Sequence, residues 1–115
     1  MKARGYILAS ALLPALCGCA GLRARREAAE ASKAIASAES AFRGAKDGGY
    51  QACAPAEMKQ SDSDLKSAKA NQEKQNYALA STLARSSEAK AALAAKKCGE
   101  VRRREAEQRT RQKKK

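Results

Sequence analysis

The stretch YALASTLARSSEAKAALAAKKC, Tyr77 to Cys98, carries Ala80, Ala84, Ser87, Ala91, Ala94 and Cys98 at alternating steps of four and three. Such spacing returns to one face of an α-helix, so it predicts a helix with a continuous seam of small residues. Leu79, Leu83 and Leu93 flank that seam. Small side chains let a second helix approach closely, to an interaxial distance of about 8 Å. The preceding segment supplies that second helix. PAEMKQSDSDLKSAKA opens with Pro55, a favoured first-turn residue, and Glu57 lies where the positive end of the helix dipole favours an acid. Its own seam is Met58, Ser61, Leu65 and Ala68. Between the two helices, NQEKQN (Asn71 to Asn76) reads as a turn although it contains neither glycine nor proline. An antiparallel hairpin is the expected result, with Gly99 offered as its stop although the residues after it are again strong helix formers.

Upstream, LRARREAAEASKAIASAESAFRGAK (Leu22 to Lys46) repeats the pattern with Ala28, Ala31, Ile35, Ala38 and Phe42. DGGY (Asp47 to Tyr50) should end this helix, because two glycines in a helix interior cost about 2 kcal/mol relative to alanine. The expected fold is therefore all-α. It is an antiparallel helical hairpin, or with the upstream helix a three-helix coiled-coil-like domain, over residues 28–100.

Cys53 precedes the second helix and Cys98 closes the third. Seventeen residues from Pro55 to Asn71 span about 25 Å of helix, and two extended residues bring Cys53 to about 31 Å from the turn. From Tyr77 to Cys98 the helix rises about 33 Å. The heights match, so in an oxidising compartment a Cys53–Cys98 disulfide is expected. The other reading is two unpaired small hydrophobic residues on the seam. Redox exchange is not indicated, since the CxxC spacing is absent.

Composition sets a ceiling on what this chain can build. It has 115 residues, 24 of them Lys or Arg against 12 Asp or Glu, with no histidine and no tryptophan. Alanine supplies most of the apolar content, which zips helices together without making a thick core. A histidine base is unavailable, the cysteines have no histidine partner, and Asp62 and Asp64 sit two apart, on different sides of a helix. A non-catalytic protein without a cofactor or a metal is the expectation.

The first eighteen residues read as an export signal. Lys2 and Arg4 precede GYILASALLPAL (Gly5 to Leu16), an apolar run of twelve, shorter than the roughly twenty residues a membrane-spanning helix needs. A buried core helix is the alternative, but only Ser10 interrupts the run. LCGCAGLRARR (Leu16 to Arg26) follows, and its first residues resemble the lipobox of bacterial lipoprotein precursors. Cys19 fits, with Leu16 three before it and Gly18 directly before it, whereas Cys17 follows the bulky Leu16. A Cys17–Cys19 pair, metal-bound or disulfide-linked, is the other reading. The resemblance implies cleavage after Gly18 and three acyl chains on Cys19, where two already give stable anchoring. Ala20 stands where an aspartate would resemble an inner-membrane retention signal, so the resemblance implies the outer membrane, on its periplasmic face. Arg23, Arg25 and Arg26 then lie beside anionic headgroups, which attract each by about 1 kcal/mol. Residues 19–27 form a lipidated basic linker.

The segment APAEMKQSDSDLKSAKANQEKQNYALASTLARSSEAKAALA, Ala54 to Ala94, is similar to a family of small alanine-rich bacterial lipoproteins catalogued as a domain of unknown function. Its members combine a lipobox, an alanine-rich helix, a break near a tyrosine and a hairpin begun by Ala-Pro-x-Glu-[Leu/Met]. With the first helix, the likeness covers residues 19–98. It implies a fold and a location but brings no binding residue. Some relatives end in an OmpA-type domain, where this chain has a basic tail.

Without residues 1–18, 22 basic and 12 acidic residues remain, a balance of +10. VRRREAEQRTRQKKK, residues 101–115, supplies +6 of it through Arg102, Arg103, Arg104, Arg109, Arg111, Lys113, Lys114 and Lys115 against Glu105 and Glu107. An exported address removes nucleic acid as partner, and no aromatic residue is interleaved for base stacking. The tail is either a solvated segment or an electrostatic grip on anionic lipid, lipopolysaccharide or peptidoglycan. A lipid-anchored interaction protein of the envelope is the functional expectation. Two further readings are a subunit or assembly factor of an envelope complex, its seam open to a partner helix, and a wall-linked protein. The latter resembles the major murein lipoprotein, joined to peptidoglycan through a terminal lysine such as Lys115. Glycines, Pro55 and the disulfide interrupt the long heptads that this resemblance requires.

Overall fold

The computed structural model describes the backbone of residues 6–114 and the side chains of residues 21–114. The side chains of residues 1–20, Cys17 and Cys19 among them, lie outside the described residues, as does Lys115, so the export-signal and lipobox expectations fall outside what the structure describes. The described residues are all-α: α1 (Tyr6–Asp47), α2 (Tyr50–Cys53), α3 (Pro55–Glu73) and α4 (Tyr77–Lys113). No strand occurs among them.

Helix α1 ends where the glycines require. Gly49 takes φ 76°, left-handed backbone that favours glycine. A Cβ on Gly48 would stand 3.1 Å from the Tyr50 ring, a tight contact to which the ring would have to yield by a few tenths of an ångström. The single turn α2 follows and was not expected from the sequence, because four residues are too few to show a period. Pro55 then opens α3 at its first turn, with Glu57 in that turn, as the sequence indicates.

Between α3 and α4 the turn is tighter than the polar cluster suggests. Helix α3 continues through Glu73, and Lys74 to Asn76 reverse the chain. Gln75 carries the positive φ of 65°, while Asn76 N–H donates to Asn71 O at 2.8 Å. Gly99 does not stop α4. Nothing lies within 4 Å of a Cβ built there. A cost of about 1 kcal/mol for one glycine is outweighed by strong helix formers on both sides.

The three long helices run up, down and up. Gln72 on α3 reaches Ser32 on α1, and Lys69 meets Glu39. Ser37 on α1 donates to Glu88 on α4 at 3.1 Å, and Arg102 reaches Gly48. Helices α1 and α4 are therefore parallel, with α3 antiparallel to both. The molecule is a rod of 104 × 20 × 16 Å. At its lower end Tyr77 and Ala78 lie beside Glu27 and Glu30, so α1 extends below the bundle. Beyond Gly48 only α4 continues upward.

All ten seam positions expected in α3 and α4 are buried. In α1, Ala31, Ile35 and Ala38 are buried, Ala28 and Phe42 are half-buried, and Ala45 extends the stripe. Ser61 and Ser87, both fully buried, divide this thin core. Ser61 Oγ donates to Ser87 O at 2.8 Å, and Ser87 Oγ donates to Ser61 O at 2.7 Å. Below them pack Ile35, Leu65, Ala80 and Ala84, and above them Met58, Ala91, Ala94 and Cys98; Phe42 touches both groups. Both hydroxyls reach the opposite backbone, which only small residues in close helices allow.

Candidate functional site

The upper pole is assembled from three short-range constraints. Cys53 and Cys98 form a disulfide with a Cα–Cα distance of 5.4 Å, pinning α2 against α4. Four residues on, one helical turn, Arg102 lies on the same side of α4 as Cys98. Its Nη2 donates to Gly48 O at 2.9 Å, one of the carbonyls left open where α1 ends. Its guanidinium carbon stands 5.6 Å from the centre of the Tyr50 ring, within cation–π reach. The cation thus closes the negative end of α1 and the aromatic face of α2 together.

Arg102 is therefore a bound residue at the base of the tail. Arg103, Arg104, Arg109, Arg111, Lys113 and Lys114 are exposed. On sequence alone all of these fall in one basic tail, and the docking of the first is missed. The available signal is the step of four from Cys98, together with the tyrosine after a double glycine.

Ion pairs among the described residues lie within the bundle: Asp62–Lys66, Glu39–Lys69 and Glu57–Lys97. A hydrogen bond from Lys69 is the main reason the Glu39 carboxyl is held below its usual range, with the Lys69 and Arg43 charges adding to it against a smaller effect of burial. Glu57 is lowered chiefly by its own backbone N–H, and then by Lys97. Its second oxygen, Oε2, is buried without a hydrogen-bond partner.

Once the bundle is cancelled in this way, charge remains at the ends. From Cys19 to Arg26 there are three arginines and no acid, a balance of +3. From Glu27 to Glu100, 11 basic residues meet 10 acidic ones, leaving +1. Residues 101–115 carry +6. The two charged poles are far apart. Arg26 to Gly48, where Arg102 docks, rises about 33 Å along α1, and Arg102 to Lys113 adds about 17 Å, so the tail begins roughly 33 Å and ends roughly 50 Å from Arg26.

Among the described residues no group of three or more His, Cys, Asp or Glu side chains is placed to hold a metal ion, and no helix is long and apolar enough to cross a membrane. The seam that a partner helix would need is filled: Ala68, Ala80 and Ala84 are covered where α1 packs against α3 and α4. Comparison with known protein families, with curated proteins and with solved structures returned no match.

Proposed function

We propose that this chain is a non-catalytic lipoprotein of the bacterial envelope, anchored in the outer membrane through acylated Cys19 and facing the periplasm. Its helical rod carries the basic segment after Val101 to an envelope polyanion. The separation of charge into two poles across a neutral bundle is the observation that carries this reading. Arg23, Arg25 and Arg26 adjoin the anchor and strengthen it on anionic headgroups. Six of the ten net charges stand at the other end. A neutral body favours neither surface, so the poles do the binding.

The lipobox resemblance at Leu16 to Cys19 supplies the address, and the Cys53–Cys98 disulfide is consistent with an oxidising compartment. Attraction of this kind is screened beyond about 8 Å at physiological ionic strength. Protein lacking its lipid should therefore leave isolated envelope material in roughly 0.5 M salt, where the screening length is about half as long. Retention at that salt overturns the electrostatic reading.

A further inference from the structure

We infer that the α4 extension binds an anionic polymer that surrounds it, the peptidoglycan network, rather than the flat face of a bilayer. This rests on the reading of the tail as a polyanion grip and specifies its partner. Helical from Val101 to Lys113, the extension has a fixed distribution of charge around its axis. Arg102, Arg109 and Lys113 follow one another at steps of seven and four along one side. Arg104 and Arg111, seven apart, lie on the opposite side, and Arg103 and Lys114, eleven apart, lie between the two.

No side of this helix is apolar: its only hydrocarbon residues are Val101 and Ala106. An interfacial helix needs a broad apolar face to sink into the headgroup region, and this one has none. A flat anionic surface meets one side of such a cylinder, so it would leave at least one basic stripe facing away. Strands of an anionic mesh pass on every side and can engage all three. The stripes are also free of the bundle, apart from Arg102, which is occupied by Gly48 and Tyr50. Finally, the pole begins roughly 33 Å and ends roughly 50 Å from Arg26 along the rod, out of reach of the anchoring headgroups when the rod stands upright.

Three charge-removing pairs test this on the chain from Cys19 onward, with Cys19→Ser to exclude acylation and the disulfide intact. They are Arg109→Gln with Lys113→Gln, Arg103→Gln with Lys114→Gln, and Arg104→Gln with Arg111→Gln. Glutamine keeps helix propensity, and circular dichroism checks that the fold is unchanged. Binding is measured by cosedimentation with purified sacculi, with mixed phosphatidylcholine–phosphatidylglycerol vesicles, and by retention on duplex DNA. The expected result is that each pair weakens sacculus binding by a similar factor, about 30-fold for two contacts of the usual strength. Vesicle binding should be weaker and insensitive to at least one pair. Loss confined to one pair on sacculi, or vesicles bound as tightly as sacculi, overturns this inference and leaves the polyanion grip standing. Binding to DNA without binding to sacculi overturns both, as does binding to none of the three.

Discussion

Replacing Cys53 and Cys98 with alanine removes the covalent link between α2 and α4, and its effect can be worked out from the loop it closes. The two residues are 45 apart in sequence. Restricting an unfolded loop of that length stabilises the folded chain by roughly 4 kcal/mol in the chain-entropy treatment. Cys98 is also fully buried, so its truncation forfeits packing worth about 1 kcal/mol more. A bundle of this size has a total stability of only about 4–12 kcal/mol. The loss is therefore a large part of the whole, and the midpoint of thermal unfolding should fall by roughly 20 °C. Urea unfolding followed by circular dichroism separates the two contributions. Reduction of the native chain should lose about 4 kcal/mol, the double alanine variant about 5, and the variant should not respond to reductant. A change on reduction below about 1 kcal/mol would refute the reasoning, because the loop would then contribute little to the unfolded entropy.

Other outcomes follow from single positions. Gly99→Ala should raise stability by about 1 kcal/mol, since a Cβ there meets nothing within 4 Å and the helix is continuous, as thermal unfolding can check. Gln75→Gly should stabilise by a few tenths of a kcal/mol to about 1, by relieving left-handed backbone at a non-glycine residue. Ser87→Leu should cost about 3 kcal/mol or more, because a larger side chain cannot fit where Ser61 Oγ and Ser87 Oγ are 3.1 Å apart. Acid should weaken the bundle through Glu39 and Glu57. Their folded pKa values lie below the unfolded ones, so their contribution is complete above the unfolded value of about 4.3 and disappears as pH falls through the folded values. Glu39→Gln and Glu57→Gln should each flatten the acid limb of a stability–pH curve, and an unchanged slope would remove these carboxylates from the account.

Most of the bundle was legible because its seams consist of small residues at strict three-four spacing. Met58, Ser61, Leu65 and Ala68, and the six positions from Ala80 to Cys98, need no further information to be placed inside. Pro55 and the double glycine mark boundaries by their own backbone chemistry. The disulfide was legible from helix rise together with the expected oxidising compartment, since both cysteines stand at the same height above one turn. What escaped depends on neighbours in space. The α2 turn is held by a bond to α4 and by the fit of Tyr50 over Gly48, neither of which leaves a periodic trace. Gly99 was expected as a stop despite the helix formers after it, and those helix formers outweigh one glycine, so α4 runs on to Lys113. The docking of Arg102 depends on the end of α1 arriving beside it, 54 residues earlier in the chain. The polarity of charge is hidden in the sequence total and emerges only when the helices are laid along one axis.

The most direct test is the intact mass of the non-reduced protein isolated from its native envelope. The expected mass is that of a chain beginning at Cys19, heavier by one thioether-linked diacylglycerol and one amide-linked acyl chain, and lighter by the two hydrogens of one disulfide. An unlipidated chain that retains Met1 would contradict the anchor and the address together, and with them the assignment of the basic pole to the envelope.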